Sequence, residues 1–401
     1  MKLHEEFLAQ MREAARILQK DGPVAATTAI QRALHGSTAQ DSTADWTRFL
    51  PQAPELHDIN SPTATGVETS AGKHDGLRSR INKWTAAMTQ QAVEDVEIKE
   101  AEDLAGKGRF ITGNSTNHAG TRTWKLYIPS AYTGQSLPLV VMLHGCTQNP
   151  DDFAAGTGMN MVAEDKHCFV LYPGQAKEAN ASHCWNWFNP VDQRRDSGEA
   201  SIIADMTRQV IREYAIDTRR VYVAGLSAGG AMAAVMGASY PDLYAAIGVH
   251  SGLPHGVAHN LPSAFAAMKN RKAKGPAMKA GAKEAVPFKQ SVPVIVFHGD
   301  RDTTVNPSNA DQVLSQCVSS TTVASKIEGG DGGRIEAGGR PYTRTLHTDA
   351  EGNVVAEKWI VRGAGHAWSG GSRKGSYTDP EGPDAAREML RFFYTHERKA
   401  R

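Results

Sequence analysis

The sequence predicts an α/β fold in which a mostly parallel sheet is flanked by helices, with a helical or irregular extension at the amino terminus. Three observations carry that expectation. The run Leu-Pro-Leu-Val-Val-Met-Leu at 137–143 is short, continuous and apolar, as a strand covered on both faces must be. Similar runs recur at 168–172, 221–224, 245–249 and 292–297, and helix-length stretches at 198–214, 228–238 and 308–318 fall between them. Strands alternating with helices of that length make βαβ units, and these build a parallel sheet.

Taken in order, residues 1–105 form an extension and 106–401 the α/β domain. In the extension, apolar residues recur at helical spacing over 7–34 and are broken by Asp21-Gly22-Pro23, which predicts a helical hairpin. Residues 36–80 are polar and rich in Ser, Thr, Gly, Asp and Pro, and read as a linker that buries too little apolar surface to order itself. Helical character returns over 81–105 around Trp84, Met88, Val93 and Ile98. Beyond Gly108, residues 122–128 alternate as a half-buried strand does. An Ala- and Lys-rich stretch, 261–291, interrupts the alternation and reads as a surface helix and loop rather than a lid. The glycine-rich residues 328–333 read as a loop without a phosphate-binding pattern, and Asp349-Ala-Glu-Gly-Asn353 as a hairpin turn between two strands.

Composition excludes several classes. In 401 residues, 44 Lys and Arg against 43 Asp and Glu leave a formal charge of +1, too little field to hold nucleic acid or an anionic membrane surface. No stretch approaches the roughly 18 consecutive apolar residues of a membrane span. Glu5 and Glu6 fall where a secretory signal would be apolar, so a cytoplasmic location is expected. The four cysteines, Cys146, Cys168, Cys184 and Cys317, have no CxxC spacing, so free thiols are the default. His255 and His259 have the spacing of a zinc pair but lack the glutamate of HExxH, and no metal or organic cofactor is expected.

The strongest chemical signal is Gly225-Leu226-Ser227-Ala228-Gly229, set between an apolar strand and a run of small residues suited to a helix. A serine at such a turn sits in strained backbone with its neighbours pressed against the adjacent chain, which is why glycines flank it. Its hydroxyl is a poor nucleophile unless a base takes its proton and an acid orients that base. Downstream, the strand at 292–297 ends in His298-Gly-Asp300-Arg-Asp302, and spacing alone does not choose between the two acids. The strand at 354–361 runs into a loop holding His366. Serine, acid and histidine thus follow in the order of an α/β-hydrolase. Oxyanion donors are expected from the N–H of Ala228 and from the loop at 144–148, through the N–H of Cys146. The aromatic cluster Cys184-Trp185-Asn186-Trp187-Phe188 is either a satellite of the core or a wall for a flat or apolar acyl chain.

With these pieces in place, residues 108–395 resemble the polyhydroxybutyrate depolymerase family of esterases, α/β-hydrolases that also include feruloyl and acetylxylan esterases. The resemblance rests on LHGCTQ (143–148), CWNWF (184–188), GLSAGG (225–230), HGDRDTTV (298–305) and GAGHAW (363–368). It implies a nucleophile at Ser227, a base at His366 and oxyanion donors at Cys146 and Ala228. The family's G-x-x-D-x-x-V segment, matched by 299–305, favours Asp302 over Asp300. His144, Trp185, Trp187 and Trp368 would then line the substrate, and Cys146 and Cys184 would lie near enough to bridge, although a reducing cytoplasm opposes that bond. The expected activity is hydrolysis of short-chain or hydroxyalkanoate esters, small, oligomeric or polymeric, through an acyl-enzyme. Feruloyl or acetylxylan esterase, serine peptidase and non-catalytic binding protein are the alternatives.

Overall fold

The computed structural model describes residues 108–270, 288, 290–318, 324–329 and 339–398, with side chains omitted over 324–329. The helical hairpin, linker and third helix expected within 1–105 lie outside these residues, as do 271–287 and 330–338. The described part opens with β1 (Arg109–Asn117) and β2 (Gly120–Ile128), an antiparallel hairpin of which only the second strand was expected. Next come β3 (Leu137–Leu143), α1 (Pro150–Thr157), α2 (Met159–Lys166) and β4 (Phe169–Pro173). They are followed by α3 (Gly198–Glu213), β5 (Ile216–Leu226), α4 (Ala228–Ser239), β6 (Ala246–His250) and α5 (Leu261–Met268). The chain continues through β7 (Val294–Gly299), α6 (Ser308–Cys317), β8 (Ala324–Gly329), β9 (Tyr342–Thr348) and β10 (Val354–Val361). Two short strands, β11 (Trp368–Ser369) and β12 (Thr378–Asp379), precede α7 (Ala385–Phe393).

The main sheet has the order β1-β2-β4-β3-β5-β6-β7-β10-β9-β8. Its centre, from β4 to β10, is parallel, and both edges are antiparallel. Parallel strands need crossovers, and helices α1 to α6 lie on them, with α3, α4 and α6 packing on one face of the sheet. The continuous apolar run of β3 follows from burial on both faces. Leu139, Val141 and Leu143 join one core with Ile203, Met232 and Val313 from those helices. Val140 and Met142 join a second core with Phe153, Val162, Met389 and Phe393 on the opposite side. At about 25 cal/mol per Å² of apolar area, burying each such side chain contributes roughly 1.5–3 kcal/mol.

The β9–β10 hairpin turns at Asp349, whose Oδ1 accepts from the N–H groups of Glu351 and Asn353. Gly352, at φ 86°, takes the left-handed position there. Within 261–291 the helix is α5, capped by Asn260 and Ser263, and in the 328–333 stretch Glu328 and Gly329 end β8.

Candidate active site

Strand β5 delivers Ser227 at its carboxyl end. Ser227 has φ 57° and ψ −116°, backbone that side-chain-bearing residues rarely adopt, and α4 begins at the next residue. Close backbone approach explains the flanking glycines. A Cβ on Gly229 would lie 2.0 Å from the carbonyl oxygen of Leu143, and one on Gly225 would lie 2.4 Å from the carbonyl of Gly229. The Ser227 N–H donates to the His250 carbonyl at 2.9 Å, tying the turn to β6. The side chain remains partly exposed.

Strand β7 delivers the acids. Asp302 is buried, and its Oδ1 accepts from the N–H groups of Thr304 and Val305, both at 2.8 Å. Its Oδ2 accepts from Nδ1 of His366 at 2.7 Å and lies 3.4 Å from Nε2 of His298. Burial alone would raise the Asp302 pKa. The bonds from His298 and His366 outweigh it, and the carboxyl is held well below its ordinary range. The competing acid, Asp300, turns instead to the N–H of Gly363 at 2.7 Å. The loop holding His366 is pressed onto this turn: Arg301 N–H donates to the Ala364 carbonyl at 3.0 Å, and a Cβ on Gly299 would lie 2.3 Å from that same oxygen. Among the described residues the Ser227 hydroxyl and His366 form no hydrogen bond, a contact that commonly tightens only when substrate binds.

The loop after β3 lies beside Ser227, since a Cβ on Gly145 would be 3.7 Å from the Ser227 Cβ. Among the described residues neither the N–H of Cys146 nor that of Ala228 has an acceptor, while Ala231 is the first residue of α4 whose N–H is taken, by the Ser227 carbonyl. The loop is heavily fastened. Gly145 N–H donates to Oε1 of Gln148 at 2.9 Å, and Nδ1 of His144 donates to the Gly145 carbonyl at 2.8 Å. Cys146 forms a disulfide with Cys184, so the default of four thiols holds only for the buried Cys168 and Cys317. A bridge constrains the loop between its ends in the unfolded chain, here the span that carries α1, α2 and β4.

Three of the residues expected to line the substrate are placed otherwise. His144, Trp185 and Trp368 are at most 1% exposed and offer no surface to a ligand. His144 Nε2 accepts from the N–H of Gln175 at 3.1 Å, and burial lowers its pKa to about 4, so the ring is a neutral brace within the loop. Trp185 packs beside His144, and Trp368 stacks on His250 and meets Phe153 edge to face. Trp187, 6% exposed, also belongs to the core. Of the two readings of the aromatic cluster, the core satellite is the one the structure shows, because bulky indoles gain more from burial than from exposure at a rim.

Several residues escaped the sequence reading. His298 donates through Nε2 to the Val305 carbonyl at 2.9 Å beneath Asp302. His250 accepts the N–H of Ser369 on Nε2 at 3.0 Å, and burial holds its pKa well below the usual range. Under the Cys146 loop, Glu199 accepts from Gln175 and Asn186, and burial, helped by Asp192, raises its pKa to about 6. The signal for His298 and His250 was their position at the ends of apolar strands; nothing marked Glu199.

Residues 122–332, more than half of the chain, match the family model described as esterase PHB depolymerase. The chain belongs to that family. A poly(3-hydroxyalkanoate) depolymerase C of Paucimonas lemoignei is 32% identical over 259 residues, covering 64% of this chain and 60% of that protein. A poly(3-hydroxybutyrate) depolymerase of Ralstonia pickettii is 30% identical over 275 residues, 65% of this chain and 53% of that protein. The match therefore spans little more than half the length of these relatives. A feruloyl esterase B of Thermothelomyces thermophilus is 29% identical over 230 residues, 55% of this chain and 77% of that one. Among solved structures, an acetyl xylan esterase from Aspergillus awamori aligns with TM-score 0.50 and 22% identity over 64% of this chain and 94% of that one. That likeness shows the α/β-hydrolase fold of this esterase family member.

Proposed function

We propose that the chain is a serine carboxylesterase acting on short-chain or hydroxyalkanoate esters. The observation that carries the reading is the Asp302–His366 hydrogen bond at 2.7 Å, made at the end of the sheet where Ser227 sits in strained backbone. Ser227 Oγ attacks the ester carbonyl while Nε2 of His366 takes its proton; Asp302 holds the ring with Nδ1 protonated and stabilises the cation. The N–H groups of Cys146 and Ala228, lacking acceptors among the described residues, receive the oxyanion. The alcohol leaves with the proton from His366. Water then adds to the acyl-enzyme by the same route, releasing the acid and restoring Ser227.

Depolymerases of polyhydroxyalkanoates and acetylxylan and feruloyl esterases among the relatives support an ester substrate, with the two plant-polymer esters as the second reading. The test is a turnover panel of nitrophenyl acetate and butyrate, a 3-hydroxybutyrate trimer, acetylated xylan, methyl ferulate and peptide anilides, with Ser227→Ala as control. Hydroxybutyrate and short acyl esters should be turned over best, and Ser227→Ala should lose on the order of 10⁵ or more in rate. Turnover surviving in Ser227→Ala, or anilides outrunning esters, contradicts the reading. Among the described residues no helix is long and apolar enough to cross a membrane. The Cys146–Cys184 bridge is of a kind that persists in oxidising compartments, which weighs against the cytoplasmic location expected from the amino terminus.

A further inference from the structure

Among the residues outside the proposed machinery that hold left-handed backbone without being glycine are Thr147 at φ 65° and Tyr377 at φ 52°. For a β-branched and an aromatic residue this is costly, and it persists only where surrounding contacts enforce it. They are 230 positions apart, yet their side-chain hydroxyls meet at 3.1 Å. Thr147 Oγ1 spends its hydrogen on the Cys146 carbonyl at 2.6 Å, so the Tyr377 phenol donates to Thr147. At its other end, the Tyr377 carbonyl accepts the N–H of Trp368 at 2.7 Å, two residues beyond His366. Tyr377 itself stands on a firm base, because Ser376 donates to Asp152 at 2.8 Å and Ser372 N–H to the Gly156 carbonyl of α1 at 2.8 Å.

We propose that Tyr377 and Thr147 form a clasp that fixes the separation between the Cys146 peptide and the segment bearing His366. Through the Cys146 carbonyl, the clasp holds the residue whose N–H is to meet the oxyanion; through Trp368, it holds the loop that carries the base. Tyr377 is thus a positioning residue, with no hydrogen bond to Ser227 or His366 among the described residues. Its kinetic consequence rests on the esterase reading, whereas its mechanical consequence rests on the contacts alone.

The experiment compares Tyr377→Phe, Thr147→Val and the double variant, all of which keep the ring or the branched side chain. Hydrogen–deuterium exchange of the full chain should show faster exchange over 145–148 in Tyr377→Phe, with 225–231 unchanged. Equal exchange over 145–148 overturns the clasp whether or not the chain hydrolyses esters. With nitrophenyl butyrate, Tyr377→Phe should lose about fivefold in kcat at constant KM, the value of one neutral hydrogen bond, and Thr147→Val, which also frees the Cys146 carbonyl, at least as much. The double variant should fall no further than Thr147→Val alone, because that variant already removes the bond to Tyr377. Additive losses, or a loss confined to KM, overturn the proposal. If the wild-type chain turns over no ester, the functional reading fails and the exchange result still decides the clasp.

Discussion

Replacing Asp302 by Asn tests the proposed chemistry with almost no change of shape. Oδ1 of Asp302 accepts two backbone N–H groups at 2.8 Å, and Oδ2 accepts Nδ1 of His366 at 2.7 Å. Asparagine can present its oxygen to only one side. Turning the amide NH₂ toward Thr304 and Val305 would leave two backbone donors facing a donor, at about 1–3 kcal/mol each. The NH₂ must therefore face His366. The imidazole then answers with a bare Nδ1 and a protonated Nε2, the tautomer that cannot accept a proton from Ser227. The expected loss in kcat is on the order of 10⁴, equivalent to about 5.5 kcal/mol of barrier, as for the same replacement in other serine hydrolases. Asp300→Asn is the control: it keeps an oxygen for the Gly363 N–H and should change kcat by less than about threefold. Steady-state kinetics on nitrophenyl butyrate, with circular dichroism to confirm folding, reads both. An Asp302→Asn enzyme retaining more than about a tenth of wild-type kcat, or an Asp300→Asn enzyme equally impaired, refutes the tautomer argument.

Two further outcomes follow from packing and burial. Gly229→Ala sets a methyl 2.0 Å from the Leu143 carbonyl oxygen and 2.6 Å from that of His144, backbone that cannot swing aside; a loss of about 3 kcal/mol or more in urea unfolding is expected. Gly365→Ala, with nothing within 4 Å of its Cβ, should cost little, and equal losses at the two sites would contradict the packing argument. His144, held neutral by burial to about 4, makes the folded chain bind fewer protons than the unfolded chain below about pH 6.5, so its contribution falls as pH drops through that window. Between about pH 7.5 and 5 this amounts to about 2 kcal/mol of unfolding free energy, which His144→Asn should remove from the pH slope. Parallel slopes for the two proteins exclude His144 as the source.

The strands were legible where their chemistry was two-sided. The run at 137–143 could only be a strand with both faces covered, and β3 has the same ends. What escaped was local chemistry that periodicity does not show. Asn149-Pro150 caps α1, with the Asn149 side chain accepting from Asp152 N–H, and Asp384 caps α7 by accepting from Arg387 N–H. Both are ordinary helix-start signals that a reading by apolar spacing passes over. The β1 strand was missed because it lies at the sheet edge with few buried side chains, so nothing in its composition demands a covered face.

The site shows the same division between chain-local and long-range information. Ser227 was legible because its strain is local, written in the glycines beside it. Choosing Asp302 over Asp300 was not legible from spacing, because the choice depends on which carboxylate the fold turns toward a ring 64 residues away. His144, Trp185 and Trp368 were misplaced for one reason: a motif says that a residue is near the chemistry but not whether it faces the cleft or the sheet beneath it. In this chain the layer beneath is where much of the motif resides. His144 braces the Gly145 carbonyl, His250 carries both the Ser227 N–H and the Ser369 N–H, and His298 lies under Asp302. The buried, neutral His144 ring fixes two backbone groups at once, accepting from the Gln175 N–H and donating to the Gly145 carbonyl. The proposed machinery therefore needs a dry, tautomer-fixed support behind it, and substitutions in that support should lower kcat while leaving ester binding unchanged.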